Sequence, residues 1–346
     1  DWSSDVCSSD LPTHATLKKR DIHAHPELGF EESRTANIVA EKLRAFGCEV
    51  HTGIGRTGVV GVLCNGSSKR SIGLRADMDA LPIEEGNDFA HRSQHAGRMH
   101  ACGHDGHTAM LLGAARWLAQ SSSFEGTVQF IFQPAEEHEG GGRVMIEQGL
   151  FERFPMDAVY GLHNWPGLPV GHFAVCAGPM MACADQFDLL VRGTGAHAAM
   201  PNLGVDPVLA GAAIVQALQQ LVSRTIDPVD AAVVSVTQFH AGDAYNVIPP
   251  HAHLRGTVRA FKPEVRDAME AGIRRVATGV AAGHGASAEL TYKRGYPPLV
   301  NHAHESAIAA QVLEGIVGGA QVHRRFNPDR KSTRLNSSHV KRSRMP

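Results

Sequence analysis

The chain has 346 residues and a formal net charge of −2 at pH 7, and 43% of its residues are hydrophobic. This near-neutral charge argues against binding to nucleic acid or to an anionic membrane surface, and no apolar run approaches the roughly 18 residues that a membrane span requires. The six cysteines show no paired spacing, which favours a reducing compartment and predicts a cytoplasmic protein.

The two ends of the chain differ from the rest of the sequence. Residues 1–11 and 329–346 are polar, lack hydrophobic periodicity and resemble the translation of sequencing-adapter DNA. We therefore leave both stretches out of the fold prediction. We expect that this sequence lacks residues of the natural protein at each end. A disordered basic tail that binds nucleic acid is the alternative for the second stretch. The remaining residues, 12–328, are enough for two domains.

Strands and helices alternate in the first half of 12–328. EESRTANIVAEKLRAFGC predicts an amphipathic helix that stops at Gly47. TGVVGVLC and SIGLRAD are β-rich runs that Asn65-Gly66 would join as a hairpin. A helix from about Gly106 to Gln120, with Asp105 as N-cap, comes next. It is followed by a strand, a short helix and a strand, in TVQFIFQ, GGRVMIEQG and DAVYGLH. This order predicts a central, mostly parallel sheet flanked by helices.

From Asp185 onwards the pattern changes to strand, helix, two strands, helix and strand. The segments are DQFDLLVRGTG, DPVLAGAAIVQALQQLVSR, AAVVSVTQF, AHLRGTVRAF, PEVRDAMEAGIRRVATGVAA and ASAELTYKR. This βαββαβ order is that of a ferredoxin-like unit, in which helices cover only one face of the sheet. We therefore predict an α/β protein with a catalytic domain in two parts, 12–184 and a truncated 295–328, and an inserted domain over 185–294.

A cluster of potential metal ligands stands in MHACGHDGHTAM, residues 99–110. Chance is one explanation, because the chain has 21 histidines; a metal site is the other, because imidazole, thiolate and carboxylate together suit borderline divalent ions. Further candidates follow predicted strands, namely Asp77, Asp79, Glu136, Glu137 and His163. Taken singly, these are explained as turn residues, a helix's first turn or a core histidine. Loops at strand ends converge in α/β sheets, so four such loops together favour the metal site.

Seven stretches of the chain resemble sequence motifs of one known family. They occur in the same order as in that family and span most of residues 20–300. They are DIHAHPELGFEE, GLRADMDALPIEE, MHACGHDGHTAMLLGAA, FIFQPAEE, GLHNWPG, GTGAHAAMP and NVIPPHAHLRGTVRAF. The chain thereby resembles the aminoacylase and carboxypeptidase family of dinuclear metallohydrolases, in particular its branch of hippurate hydrolases, indole-acetyl-amino-acid hydrolases and N-acyl-amino-acid deacetylases. The resemblance implies two divalent ions, zinc or else manganese, cobalt or nickel, held by Cys102, His104, Glu137 and His163.

The family has a further histidine ligand near its C-terminus, which has no counterpart before Pro328, so we expect an incomplete metal site in this chain. The resemblance also implies that Glu136 acts as general acid and base toward a metal-activated water. Asp79 would orient a group of the site through a hydrogen bond, whereas the role of Asp77 stays open.

In the inserted domain, the resemblance implies a lid and dimerisation module. His197 would stabilise the tetrahedral oxyanion, within one subunit or across a homodimer interface. Asn246 and Arg259 would bind the carboxylate of the substrate, because a guanidinium reads a carboxylate with two parallel hydrogen bonds. The alternative for Arg259 is an exposed ion pair. At position 202 this chain has asparagine, where members of the family often have histidine. The difference would affect contacts of the lid or substrate specificity.

The sequence therefore predicts a metal-dependent hydrolase of linear amides that cleaves N-acyl-L-amino acids, such as hippurate or acetyl-amino acids, and forms a homodimer. One alternative is a carboxypeptidase or dipeptidase of the same family. Another is a ligand-binding homologue without catalytic activity.

Overall fold

The computed structural model describes residues 18–137 and 139–324. These residues divide into two compact units, with the boundary between Leu168 and Pro169. Both adapter-like stretches, 1–11 and 329–346, lie outside the described residues. Within the described part of the chain, no helix combines the length and the apolar character needed to cross a membrane.

The first unit is built on one five-stranded sheet. Its elements are a helical segment at 18–24 (α1), Ser33–Ala45 (α2), Glu49–Ile54 (β1), Gly58–Asn65 (β2), Ser71–Asp77 (β3), His104–Ser121 (α3), Gly126–Gln133 (β4), Gly141–Glu147 (α4), Leu150–Arg153 (α5) and Ala158–Gly161 (β5). The strand order is β1-β2-β4-β3-β5. β3, β4 and β5 run parallel to one another, while β2 is antiparallel to both β1 and β4. The predicted α/β class with a mostly parallel central sheet is confirmed.

Helices cover both faces of this sheet, which explains the continuous burial of its central strand. Phe130 and Phe132 of β4 lie in one core with Leu43 of α2 and Leu112 of α3. On the opposite face, Ile131 packs with Met145 of α4. Each large apolar side chain buried in this way contributes about 1.5–3 kcal/mol. The core fixes β3 and β4 side by side, so that their carboxyl ends open onto the same edge of the sheet.

The predicted hairpin between β2 and β3 is wrong, because β4 lies between these two strands. The side-chain amide of Asn65 donates to the backbone oxygen of Ser122 at 2.9 Å, which ties the end of β2 to the connection that leads into β4. The hairpin of this sheet is instead formed by β1 and β2. Its turn holds Gly55 and Arg56 in the left-handed region, with φ of 67° and 74°. β1 was not predicted from the sequence.

The predicted N-cap of α3 is also wrong. The helix starts at His104, and the cap position is Gly103 with φ of 87°. Asp105 lies inside the first turn, and its Oδ2 accepts a hydrogen bond from His23 Nδ1 at 2.9 Å. The carboxylate that was expected to cap the helix is thus occupied by a side chain from α1.

The second unit contains a four-stranded antiparallel sheet with two helices. Its elements are Phe173–Ala174 (β6), Gly178–Met181 (β7), Asp185–Arg192 (β8), Ala196–His197 (β9), Pro207–Gln220 (α6), Ala232–His240 (β10), Val247–Ile248 (β11), His251–Ala260 (β12), Pro263–Gly283 (α7), Ser287–Lys293 (β13), Leu299–Asn301 (β14), Ala303–Val317 (α8) and Val322–His323 (β15). The main sheet has the order β10-β12-β8-β13, with antiparallel pairing throughout. The predicted βαββαβ unit is confirmed.

One face of this second sheet packs on its helices. Phe187, Leu189 and Val191 of β8 alternate into a core shared with Ile214 of α6 and Ile273 of α7. Outside the sheet, β7 pairs with β14 and β6 pairs with β15, so segments before and after the βαββαβ unit are joined. The division into 12–184, 185–294 and 295–328 stays a prediction.

Candidate metal centre

Three loops of the first unit bring the four predicted ligands together. The ligand atoms of Cys102, His104 and Glu137 all lie within 4.8 Å of one another. His163, which follows β5, joins them, with its Nε2 3.4 Å from Cys102 Sγ. Cys102 lies two residues before α3, His104 is the first residue of that helix, and Glu137 lies in the loop after β4. Residues from well-separated parts of the chain thus line one centre.

His104 Nε2 is the atom on which this centre converges. It is buried, and among residues 18–137 and 139–324 it has no hydrogen-bond partner. Three carboxylate oxygens surround it at distances too long for hydrogen bonds, those of Asp77 at 3.6 Å, Glu137 at 3.8 Å and Glu136 at 3.9 Å. A buried nitrogen left unpaired costs about 1–3 kcal/mol, whereas ligands bound to one ion at about 2 Å naturally lie 3–4 Å apart. The thiolate, imidazole and carboxylate donors therefore fit a divalent cation of the zinc or manganese type.

Asp79 fixes the orientation of two of these ligands. His104 Nδ1 donates to the Asp79 backbone oxygen at 2.9 Å and lies 3.2 Å from its Oδ1. The other carboxylate oxygen, Oδ2, accepts the backbone N–H of Glu137 at 3.0 Å. With Nδ1 engaged, the imidazole presents Nε2 to the centre, as an outer-shell carboxylate commonly ensures for a metal-bound histidine.

Glu136 stands at the open side of the centre. Its side chain keeps 30% of its surface exposed, while that of His104 is fully buried. Burial, reinforced by the charge of Glu137, raises the pKa of Glu136 to about 7. A carboxylate that titrates near neutrality is suited to accept a proton and return it.

The protonation of the other residues depends on their burial and on the surrounding carboxylates. Burial lowers the pKa of His163 to about 4, which leaves the imidazole neutral, as metal ligation requires. Burial raises the pKa of the Cys102 thiol to about 12, so its ionisation calls for a nearby cation. For His104, burial favours the neutral ring, but the interactions with Asp79, Cys102 and Asp77 together outweigh burial and raise the pKa.

Asp77, whose role the sequence left open, lies fully buried beside the centre. Its carboxylate accepts hydrogen bonds from Arg75 Nη1 at 2.8 Å and His107 Nδ1 at 2.6 Å. Although burial works to raise the pKa of Asp77, these two partners hold it well below its usual range. Asp77 is therefore an ionised, doubly bonded anchor at the end of β3.

Sequence reasoning missed Glu32, which holds the loop after β4. Its side chain is buried, Oε1 accepts the backbone N–H of Ala135 at 2.7 Å, and Oε2 accepts the hydroxyl of Thr57 at 2.5 Å. Ala135 has φ of 48°, a left-handed conformation that is costly for a residue other than glycine. Because Glu136 follows directly, Glu32 sets the geometry of the loop that carries both glutamates. Its place in DIHAHPELGFEE was the available signal, but that motif had no assigned role.

The predicted residues of the inserted domain lie in the second unit. His197 on β9 pairs with Val247 of β11. Asn246 immediately precedes Val247, so His197 and Asn246 are neighbours. Arg259 Nη1 donates to Thr257 Oγ1 at 2.5 Å and to the Val258 backbone oxygen at 3.0 Å.

Arg259 is half-buried and forms no ion pair within the described part of the chain, although the charge of Asp185 acts on it. Its role, carboxylate binding or an ion pair, stays a prediction. Asn202 lies in an exposed turn, Pro201–Leu203.

Comparison with known proteins assigns the chain to a family. The model of peptidase family M20/M25/M40 matches residues 73–331. The chain belongs to this family. The hippurate hydrolase of Campylobacter jejuni is 44% identical to it over 309 residues, which are 89% of this chain and 80% of that protein. The N-acyl-L-amino acid amidohydrolase of Geobacillus stearothermophilus is 42% identical over 295 residues, 85% of this chain and 79% of that protein.

A solved M20 structure is also similar, a dinuclear metal-binding peptidase from Bacillus subtilis. It has a TM-score of 0.78 and 37% sequence identity, and the match covers 93% of this chain and 84% of that one. The predicted membership of an amide-hydrolysing family of metallopeptidases is thereby confirmed.

Proposed function

We propose that this M20 chain hydrolyses the amide bond of N-acyl-L-amino acids and releases a carboxylic acid and a free amino acid. The observation that carries the proposal is the convergence of Cys102, His104, Glu137 and His163, with the Glu136 carboxylate beside them. The names of the two sequence relatives, a hippurate hydrolase and an N-acyl-L-amino acid amidohydrolase, support this substrate class.

The four converging residues would hold two divalent cations, zinc or else manganese, cobalt or nickel. When bound, such a pair supplies an acidified water and a polarised amide carbonyl. Glu136 accepts the proton of that water on its carboxylate and delivers it to the departing nitrogen. Asp79 keeps the His104 ring and the Glu137 backbone in place throughout.

The second unit would contribute the residues that bind the substrate. His197 donates a hydrogen bond to the developing oxyanion, and Asn246 and Arg259 bind the free carboxylate of the amino acid. The half-buried guanidinium of Arg259 supports this role, because it forms no ion pair with a carboxylate among the described residues. We further propose a homodimer formed through this unit, and a cytoplasmic location, because a thiolate ligand works only while reduced.

The proposal is tested with hippurate and a panel of N-acetyl-amino acids, beside a panel of dipeptides. Because the four proposed ligands and Glu136 are all present, we expect measurable hydrolysis of the N-acyl-amino acids, its loss after chelation and its return on addition of Zn²⁺ or Mn²⁺. If none of the N-acyl-amino acids is cleaved in the presence of either metal, the proposed function is wrong.

A peptidase of the same family is the second candidate, favoured by the name of the Bacillus subtilis structure. Faster turnover of dipeptides than of hippurate would favour it. The ligand-binding alternative predicts metal binding without cleavage of either panel. The position of Glu136 beside the proposed ligands argues against that alternative.

A further inference from the structure

His107 is a second histidine of α3 that faces the metal centre, one turn after His104. Together with Asp77, His104 and His163 it forms a group whose potential ligand atoms all lie within 4.8 Å of one another. Its side chain is 2% exposed. Nothing in the proposed reaction uses it, so its purpose has to be found in its contacts.

Both ring nitrogens of His107 are already engaged by the protein. Nδ1 donates to Asp77 Oδ1 at 2.6 Å. Nε2 has two possible hydrogen-bond partners in Asn164: it can donate to the side-chain oxygen, at 2.5 Å, or accept the backbone N–H, at 3.1 Å. Whichever of these two hydrogen bonds Nε2 makes, both ring nitrogens are engaged, so this ring has no free lone pair to give to a cation.

The contact with Asn164 leads directly to His163. The backbone oxygen of Asn164 accepts the Nδ1–H of His163 at 2.7 Å. With its Nδ1 proton held in this way, His163 presents Nε2, which lies 3.4 Å from Cys102 Sγ. The rings of His107 and His163 are 4.6 Å apart and inclined at 62°, so they also touch each other.

Asn164 also packs on the turn that carries the other ligands. A Cβ at Gly103 would lie 2.6 Å from the Asn164 side-chain oxygen, and Gly103 has φ of 87°, so only glycine suits this position between Cys102 and His104. At the far end of the chain of contacts, Asp77 is fixed by Arg75 and, through its backbone oxygen, by the Thr108 hydroxyl at 2.9 Å. The contacts thus join the end of β3, the start of α3 and the loop after β5.

We propose that His107 is a positioning residue, not a ligand, and that through Asn164 it determines which nitrogen of His163 faces the metal centre. This inference rests on the proposed metal centre, but not on the identity of the substrate. The histidine whose position depends on it is the ligand supplied by the loop after β5.

The first test is the His107→Asn variant, which retains a donor toward Asp77 but loses the reach to Asn164. His163→Ala removes a proposed ligand, and His51→Asn is the matched control, because His51 pairs with Glu49 on β1 away from the centre. Co²⁺ titration followed by absorption gives the number of bound ions and their affinity. We expect His107→Asn to bind as many ions as wild type, with about 10- to 100-fold weaker affinity, the usual effect of losing an outer-shell partner.

The second measurement is side-chain ¹⁵N NMR of the metal-free protein, which reports the tautomer of each histidine. In wild type, His163 should carry its proton on Nδ1, and in His107→Asn the two tautomers should mix. Asn164→Ala, a change at an exposed residue, keeps the pair of His107 and Asp77 and the backbone groups of residue 164 but removes the side-chain contact with His107 Nε2. It should mix the two tautomers in part and provides the answer if His107→Asn does not fold.

Two results would overturn the inference. If His107→Asn loses as many bound ions as His163→Ala, His107 is a ligand. If His107→Asn keeps the metal affinity and the His163 tautomer of wild type, as expected for His51→Asn, His107 has no role at the centre. Amide hydrolysis by wild type is measured separately, so that normal Co²⁺ binding without hydrolysis would count against the proposed function alone.

Discussion

His104 and Asp79 are joined by two contacts of His104 Nδ1, 2.9 Å to the backbone oxygen and 3.2 Å to the carboxylate. The same carboxylate accepts the backbone N–H of Glu137. One aspartate therefore orients two proposed ligands that are more than thirty positions apart in the chain. Asp79→Asn should place an amide N–H against one of these two donors, and we expect metal affinity to fall about 10- to 100-fold.

Zn²⁺ affinity of Asp79→Asn, measured by competition with a chelator, checks this prediction. Asp88→Asn, at an exposed position, is the control and should bind as wild type does. Equal affinities in the two variants would remove Asp79 from the support of the centre.

Glu136→Gln should retain metal and substrate binding and lose several orders of magnitude in kcat, because an amide cannot take up the proton of the attacking water. Glu139→Gln, an exposed neighbour in the same loop, should be nearly neutral. Steady-state kinetics with hippurate give kcat and KM for both. Near-normal turnover by Glu136→Gln would assign the base elsewhere.

Glu32→Gln should destabilise the first unit and slow the reaction. A carboxylate accepts both the Ala135 N–H and the Thr57 hydroxyl, whereas a glutamine side chain must turn its NH₂ toward one of these donors. We expect a loss of about 1–3 kcal/mol in the free energy of unfolding, as for a buried donor left unsatisfied. Thr57→Val, which removes only one hydrogen bond, should lose less, and urea denaturation of both variants measures the difference.

Stability should depend on pH through His23. Burial acts to lower the pKa of His23, but its hydrogen bonds and charge interactions with Asp105 and Glu85 outweigh burial and raise the pKa above the ordinary 6.5. The protonated ring therefore contributes stability that is fully present below about pH 6.5 and is lost as the pH rises through the raised pKa.

Urea denaturation of wild type and His23→Gln between pH 6 and 9, in the presence of a chelator, follows this contribution. The difference in unfolding free energy should shrink as the pH rises. A difference that is constant or grows with pH would show that the pair formed by His23 and Asp105 does not act through charge.

The convergence of the ligand-bearing loops was predictable because it follows from topology. Hydrophobic runs such as TVQFIFQ identify buried strands, and the loops at the carboxyl ends of parallel strands share one edge of the sheet. Cys102, Glu137 and His163 therefore meet wherever those strands are adjacent. The ferredoxin-like unit was equally predictable, because apolar and polar residues alternate along its strands and two amphipathic helices pack on its sheet.

The errors have a common cause, because the role of each misassigned residue is determined by a hydrogen-bond partner that is distant in the sequence. Asn65 was taken for a hairpin turn, but its side chain binds the connection after α3. Asp105 was taken for a helix cap, but it is bound by His23. Glu32 and His107 went unassigned for the same reason, because their partners Ala135 and Asn164 lie on loops whose proximity only the fold determines.

Anomalous diffraction from crystals of the chain grown with Zn²⁺ shows whether Cys102, His104, Glu137 and His163 hold a pair of metal ions. We expect two peaks about 3.5–4 Å apart, as in other two-metal sites, with Cys102 Sγ, His104 Nε2, a Glu137 oxygen and His163 Nε2 within bonding distance. Peaks absent from this cleft, or bound to other residues while these four remain unligated, would contradict it.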